Sequence, residues 1–547
     1  MARRHEPLSA PMGVYRDSRV LAGIAGLAAV GLLIGGAFAG LISEALDDWS
    51  GAASAFDSYL FRITRFTLWQ ALLSTLLSVC PAILVARALA RHPVFWGRSF
   101  ILRLFALPLA VPAIVASLGI LALLGRAGIF ADALAWLTGE PWQGIYGLSG
   151  ILVAHVFFNL PLATRFLLHA LETVPTDQWR LAAQLGMGPR TTFRLIEWPV
   201  MRAALPGVAG LIFMLCITSF TIVLTLGGGP RATTLEVAIY QALRFDFDPA
   251  RAVALTALQI ALTVVVVILL VRAGADMVAD ANMPVARRRP NMARAPETVF
   301  NALVIIAALA FVAGPFVSTI ISGVQADLVR LASDPAVHRA TLTSLGLAFI
   351  AAALSLLLSL SLTMARSAME HSRNRTASPS FLERLFDTGA GFVLVVPPVV
   401  VGAGWFILLI DSGSVFSLAP VMVVTVNAVM AMPFALRAIR PAWDGAAERH
   451  DRLCASLGIS GFNRLRLIDW PSIRRPAFTA FAFAMALSLG DLGVIALFGS
   501  DVVKTLPYLL FERMGSYRTA DAAGIALFLG IVCLALMMLV DRTRRSA

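Results

Sequence analysis

Long runs of apolar residues dominate the chain, and short polar segments separate them. An α-helix needs roughly 20 mostly apolar residues to cross the ~30 Å hydrocarbon core of a bilayer. The runs are continuous rather than alternating, so membrane-spanning β-strands are not indicated. The pattern therefore predicts an all-α polytopic membrane protein with about twelve spans, at 20–42, 66–90, 101–124, 148–170, 203–226, 251–271, 298–322, 340–365, 388–410, 417–437, 476–498 and 519–540.

The composition excludes cytosolic enzymes, secreted disulfide proteins and disordered chains. Of the 547 residues, 59% are hydrophobic and 14% are charged, whereas soluble domains usually contain about 25% charged residues. A soluble globule could not cover so much apolar surface with polar side chains. The four cysteines show no paired spacing, and we interpret them as reduced packing residues.

Most of the formal net charge of +12 lies in short loops on one side of the predicted spans. Arginines precede the first span, fill the even-numbered loops and end the chain, whereas the loop after the first span contains Glu44, Asp47, Asp48 and Asp57. Basic loops mark the cytoplasmic side of a membrane. We therefore expect both termini in the cytoplasm, a lipid bilayer around the spans, and no nucleic-acid partner.

The second half of the chain repeats the first at a constant offset of 272 residues. The segment RLIEWP at 194–199 recurs as RLIDWP at 466–471, and the register holds from Pro161 and Pro433 to Ala250 and Ala522. Each repeat contains six predicted spans, an even number, so the two halves have the same orientation and form parallel repeats. The expected division is a first half at 1–272, a cytoplasmic linker at 273–297 and a second half at 298–547.

The best-matched part of the repeat lies in two cytoplasmic loops, at 171–202 and 438–475. A duplicated loop of this length indicates a function, because loops otherwise vary freely. The first loop predicts a short surface helix with Thr176 as its N-cap and Gly186 at its end, and in the second loop Asp444 is the predicted cap and Gly458 the predicted end. The residues alone allow either an interfacial helix on lipid or a docking surface for another protein.

The spacing within these loops resembles the "EAA" loop of ABC importer permeases, G-x9-I-x-L-P, with Trp198 and Trp470 in the leucine position. In that family the loop forms a coupling helix that docks in a cleft of the ATPase subunit. The resemblance therefore implies two docked copies of a separate ATPase. Arg180 and Arg452 stand where the family has a glutamate. The coupling residues that the resemblance implies are Trp179, Arg180, Leu181, Ala182, Gly186, Ile196, Pro199, Arg452, Leu453, Gly458, Ile468 and Pro471.

Longer segments resemble the fused thiamine/thiamine pyrophosphate permeases of bacterial ABC importers. They lie at 151–165, 181–187, 226–250, 487–499 and 515–521. The resemblance implies the type I importer permease fold and transport of thiamine and its phosphate esters across the inner membrane. It also implies a periplasmic solute-binding protein that delivers the solute.

The chain contains no pattern that predicts catalysis, a metal or a cofactor. Lys504 and Thr505 follow Gly499, but Val503 occupies the position of the second glycine that a phosphate-binding loop requires. ATP hydrolysis is therefore expected in a partner subunit. The alternatives are an ABC permease for another solute (iron, sulfate, polyamine or phosphonate), an ion-driven secondary carrier with twelve spans in two halves, and a membrane enzyme. The duplicated loops argue against the carrier.

Five polar residues within spans are candidates for the translocation pathway. Thiamine is a cation with two aromatic rings, so its pathway needs acceptors or an anionic group. Asp491 lies within span 11, and Ser219 is its repeat mate. His155 and Asn427 are repeat mates at mid-span, and Asn159 lies one turn beyond His155. A helix-end or gate role for Asp491, and interhelical hydrogen bonds for the others, are the structural alternatives.

Overall fold

The computed structural model describes residues 17–272, 295–372, 378–393, 396–410, 412–459, 461–500 and 503–545. Every regular element within these ranges is helical, which confirms the all-α prediction. Most of the predicted linker at 273–297 lies outside the described residues.

The helices of the first half are α1 (Ser18–Asp47), α2 (Trp49–Ser54), α3 (Ser58–Arg91), α4 (Arg98–Leu104), α5 (Ala113–Leu124), α6 (Ala131–Thr138), α7 (Leu148–Glu172), α8 (Thr176–Gln184), α9 (Pro189–Thr192), α10 (Trp198–Ile217), α11 (Phe220–Leu226), α12 (Leu235–Arg244) and α13 (Pro249–Arg272). Those of the second half are α14 (Ala295–Val324), α15 (Leu328–Ser333), α16 (Pro335–Ser372), α17 (Phe381–Val393), α18 (Pro398–Ile410), α19 (Ala419–Ser456), α20 (Gly461–Arg464), α21 (Trp470–Gly490), α22 (Gly493–Phe498), α23 (Leu506–Gly515) and α24 (Thr519–Arg545).

Four of the twelve predicted spans are interrupted. Among the described residues, nine helical stretches are long and apolar enough to cross a bilayer, and α4 with α5, which bend by 111°, would be a tenth. The predicted span 203–226 is divided between α10 and α11, 388–410 between α17 and α18, and 476–498 between α21 and α22. Proline explains two of the breaks, because Pro112 precedes α5 and Pro397 precedes α18, and a proline disfavours helix in the residue before it.

The repeat predicted from the sequence is also present in the structure. Helices α9 and α20, and the starts of α10 and α21, lie at the same offset of 272 residues. Between them the chain forms a π-helical turn in each half, at Phe193–Glu197 and Leu465–Asp469. Pro199 and Pro471 lie just inside the following helices, and a proline ring clashes with the carbonyl four residues earlier. The wider π turn accommodates this clash.

The first long helix of each half packs against the other half. Helix α1 contacts α16 and α18, and α14 contacts α3 and α5. The α1–α18 contact depends on small residues, as in other close helix pairs in membranes. A Cβ atom added to Gly40 would lie 2.2 Å from the carbonyl oxygen of Gly404, and Trp405 donates a hydrogen bond from Nε1 to the Leu33 carbonyl at 2.7 Å. Trp405 is therefore a packing residue at this contact.

Replacing Gly40 by leucine should destabilise the contact between the halves. Overpacking of a tight contact costs about 1–3 kcal/mol, so we expect a lower melting temperature for the purified Gly40→Leu protein. Gly35→Leu is the matched control on the same helix, because a Cβ at Gly35 meets no atom within 4 Å. Equal melting temperatures for Gly40→Leu and Gly35→Leu would contradict the packing described for α1.

Candidate coupling loops and central cavity

The first predicted coupling loop, at 171–202, contains the predicted surface helix, α8, and this helix ends as expected. Gly186 has a left-handed backbone with φ of +61°, and the Met187 N–H donates to the Ala182 carbonyl at 3.0 Å, the pattern of a glycine-terminated helix. The predicted N-cap is wrong. Pro175 occupies the cap position and Thr176 is the first helical residue, so the Thr176 hydroxyl is not placed over the first N–H groups.

The second loop differs in its N-terminal part. Helix α19 continues without a break through Asp444 to Ser456, so the predicted cap at Asp444 is wrong. The reason is local sequence: Pro175 interrupts the first loop, whereas its repeat mate is Ala447, a strong helix former. Gly458 again ends the helix, with φ of +66°.

Both loops expose three leucines at equivalent positions. Leucines in folded proteins are mostly buried, yet these six side chains are between half and two thirds exposed. The exposed fractions are 55% for Leu181, 63% for Leu185 and 57% for Leu195, and 51% for Leu453, 62% for Leu457 and 63% for Leu467. Their repeated exposure gives each half the same apolar surface, which is typical of a protein interaction site.

The other predicted coupling residues lie beside or beneath these leucines. Trp179 and Ala182 are buried, as is Cys454, the repeat mate of Ala182. Arg180 and Arg452 are exposed, and Arg180 lies 3.6 Å from Asp177. An exposed pair of this kind contributes little to stability. The Arg180 guanidinium remains accessible, because its side chain is exposed. Ile196 and Ile468 are half-buried, whereas Pro199 and Pro471 are exposed.

A buried acid in the π turn attaches the first loop to the helical bundle. Glu197 is fully buried, and its carboxylate accepts hydrogen bonds from Arg87 Nε at 2.8 Å and Arg91 Nε at 2.9 Å, both on α3. Glu297 of α14 forms ion pairs with the same two arginines. The Arg87 guanidinium also lies 5.1 Å from the centre of the Phe193 ring. A displacement of this loop would therefore be transmitted to α3 and α14.

The second loop has the same acid but other partners. Asp469, the repeat mate of Glu197, lies 3.4 Å from Arg464, which also pairs with Asp451. Burial raises the pKa of Asp469, and Arg464 acts in the opposite direction. Glu197 and Asp469 are not among the coupling residues predicted from the sequence. The sequence does contain a signal for these two residues, because RLIEWP and RLIDWP have an acid at the same position.

A cavity of about 250 Å³ lies where the broken helices of the two halves meet. The first half contributes residues of α5, α12 and the α10–α11 break, and the second half contributes the start of α18 and the α21–α22 break. The lining residues are Ala113, Leu215, Thr218, Ser219, Phe220, Thr221, Ile222, Glu236, Pro398, Val399, Asp491 and Gly493.

Two pathway candidates, Asp491 and Ser219, line this cavity from opposite halves. Asp491 lies at the α21–α22 break and not within an unbroken span. Its carboxylate accepts from the Gly493 N–H at 3.1 Å and the Val494 N–H at 3.4 Å. Asn427 also hydrogen-bonds to this carboxylate and donates to Ser488 Oγ at 3.0 Å. Asp491 therefore has the predicted helix-end contacts as well as a place in the cavity wall.

His155 and Asn159 lie apart from the cavity, inside the first half. His155 Nδ1 is 2.8 Å from Ser74 Oγ, and Asn159 Nδ2 donates to the sulfur of Cys216 at 3.3 Å. These contacts join α3, α7 and α10 and support the interhelical alternative. Glu236, a buried acid of α12 in the cavity wall, is not among the pathway residues predicted from the sequence. It lies within the segment 226–250 but outside the predicted spans.

Comparison with known proteins identifies the family. The family model "Binding-protein-dependent transport system inner membrane component" matches residues 82–281 and 369–545. The chain is 58% identical to the thiamine transport system permease protein ThiP of Brucella abortus, over 97% of this chain and 96% of the relative. Identity to the protein of the same name from Escherichia coli K12 is 41%, over 91% of each chain.

A sulfate permease matches a smaller part of the chain. The probable sulfate transport system permease protein cysT of Helicosporidium is 28% identical over 36% of this chain and 73% of the relative. The matched family consists of transport subunits and not of enzymes. The chain belongs to the binding-protein-dependent transport system inner membrane components, the multi-pass permeases of ABC importers.

Proposed function

We propose that this permease imports thiamine and its phosphate esters, driven by ATP hydrolysis in a separate subunit. The observation that carries the proposal is the 58% identity to a thiamine transport permease over 97% of the chain. The sulfate alternative has weaker support, since that likeness covers 36% of the chain. A cavity wall with two carboxylates, Glu236 and Asp491, also suits a cation better than an anion.

Solute competition tests the choice of solute. Cells that cannot make thiamine would express this chain with its ATPase and binding protein, and uptake of labelled thiamine would be measured. Unlabelled thiamine, its monophosphate and its pyrophosphate should compete, whereas sulfate, ferric iron, spermidine and phosphonates should not. Uptake of one of those other solutes in place of thiamine would refute the assignment.

We infer that two copies of the ATPase dock on the coupling loops, one on each. The equivalent exposed leucines of the two loops support two equivalent sites. Arg180 and Arg452, which replace the family's glutamate, would face this partner. The binding protein would dock on the opposite side and release the solute towards the central cavity.

Asp491→Asn should slow thiamine uptake at least several-fold. The change removes one negative charge from the cavity and keeps nearly the same volume, so electrostatics should dominate the effect. The asparagine oxygen still accepts one hydrogen bond at the start of α22. Uptake and ATP hydrolysis would be measured together in proteoliposomes at equal amounts of protein.

The control is Asp248→Asn, because Asp248 makes the same kind of contact, to the Arg251 N–H at 2.9 Å, outside the cavity lining. It should transport like the wild type. Unchanged uptake by Asp491→Asn would remove this residue from the pathway. A parallel fall in uptake and hydrolysis would indicate a gate.

The orientation predicts which positions an impermeant thiol reagent reaches. With the native cysteines replaced, cysteine at Asp48 or Asp246 should react in intact cells, because both positions are exposed on the predicted external side. Cysteine at Arg288, which lies outside the described residues, or at Arg544 should react only after permeabilisation. The reverse pattern would overturn the assignment of both termini to the cytoplasm.

A further inference from the structure

Glu236 is a buried carboxylate without an evident structural role. It lies in the first turn of α12 with 1% of its surface exposed. Its Oε1 has no hydrogen-bond partner among the described residues. Burying an uncompensated carboxylate is costly, so its position in a cavity wall needs an explanation.

The cavity gives Glu236 no positive counter-charge. Among the described residues that line it, none is arginine, lysine or histidine. The Asp491 carboxylate accepts hydrogen bonds from two backbone N–H groups, whereas Glu236 Oε1 accepts none. The cavity wall therefore contains one buried acceptor, Glu236 Oε1, that no described residue satisfies.

The two acids occupy positions that are not equivalent in the repeat. Asp491 corresponds to Ser219, and Glu236 corresponds to Tyr508. Each half thus contributes one acid where the other half has a neutral residue. Helix α12 and the α21–α22 break bring the two acids to one cavity, although these acids are far apart in the sequence.

We propose that Glu236 is the counter-charge for an organic monocation in this cavity, with Asp491 as the second anionic group. This inference rests on the proposed function, and the ligand class is a permanent cation on an aromatic ring, such as thiazolium. Phe220 provides aromatic surface in the wall, held edge-on by Tyr240 at 5.5 Å between ring centres. A volume of about 250 Å³ is below the roughly 300–1,000 Å³ of drug-sized pockets, so the cavity accepts the charged ring rather than the whole solute.

The first test replaces Glu236 in the complete importer. Permease, ATPase and binding protein would be reconstituted, and the thiamine imported per ATP hydrolysed would be measured for wild type, Glu236→Gln and Glu236→Asp. We expect a fall of about ten-fold or more in this ratio for Glu236→Gln, because a charge interaction in a low-dielectric site is lost. Glu236→Asp, which keeps the charge, should restore a substantial part of it.

Glu512→Gln is the control variant, because Glu512 lies on the equivalent helix α23, outside the cavity lining, and pairs with Lys504. Its ratio should equal that of the wild type. A wild-type ratio in Glu236→Gln would overturn the inference, as would a parallel loss of import and hydrolysis that leaves the ratio unchanged. A wild-type importer that moves no thiamine would instead refute the proposed function.

A second measurement leaves Glu236 intact. Thr218 lines the cavity, so Thr218→Cys, in a chain without its native cysteines, reports occupancy through its reaction with a thiol reagent. Thiamine should slow this reaction saturably, and its uncharged aminopyrimidine fragment should not do so at the same concentration. No protection, or equal protection by both compounds, would contradict the counter-charge role.

Discussion

A permease with both Gly186→Val and Gly458→Val should insert into the membrane normally but lose at least nine tenths of its thiamine uptake. Both glycines have a left-handed backbone, with φ of +61° and +66°. A β-branched residue is strongly disfavoured there, and left-handed backbone costs an L-residue roughly 1–2 kcal/mol. The turn that ends each coupling helix would rearrange, and the exposed leucines beside it would be displaced.

The measurement is ATP hydrolysis stimulated by the loaded binding protein, together with uptake. Gly188→Val is the matched control in the first loop, because Gly188 has an extended backbone with φ of −70° and a Cβ there meets no atom within 4 Å. It should retain coupling. Full transport by the double glycine variant would show that these turns are not needed for coupling.

Leu185→Glu combined with Leu457→Glu should prevent the ATPase from binding. These two leucines are 63% and 62% exposed at equivalent places of the two loops. A glutamate at the centre of an apolar interface would be buried without a partner, and the loss at a hot spot near the centre of an interface is about 2 kcal/mol or more. We expect the ATPase to be lost from the purified complex, with each single variant retaining one copy.

The readout is the ratio of ATPase to permease after purification in detergent. Leu137→Glu is the control, because Leu137 is 73% exposed on α6, in a loop predicted to be external. That variant should keep both ATPase copies. Normal ATPase content in the double variant would place the docking surface elsewhere.

The sequence predicts those features that depend on residues close together in the chain. A glycine that adopts a positive φ just after the last turn of a helix ends that helix, and Gly186 and Gly458 both do so. The duplication is visible because RLIEWP and RLIDWP preserve the residues that form the π turn. The two predicted N-caps are wrong for different reasons. In the first loop Pro175, not Thr176, occupies the cap position. In the second loop the helix continues through Asp444, so no helix begins there.

The central cavity could not be predicted from the pattern of apolar residues. Apolar residues surround the α10–α11 break at Ser219 and the α21–α22 break at Asp491. The hydrophobic pattern alone therefore predicts a single continuous span in place of each pair of helices. Glu236 lies between predicted spans, and only the packing of α12 between the halves makes it a buried acid. The burial of such a residue depends on contacts with residues far away in the sequence, and a local sequence pattern does not predict those contacts.

The most direct test of the account is ATP-driven uptake of labelled thiamine by the purified system. Proteoliposomes would contain this permease with its ATPase, with ATP inside, the binding protein outside and no ion gradient. The account predicts accumulation of thiamine that requires both ATP and the binding protein. Accumulation driven by a proton or sodium gradient in the absence of ATP would contradict it and identify the chain as an ion-driven carrier.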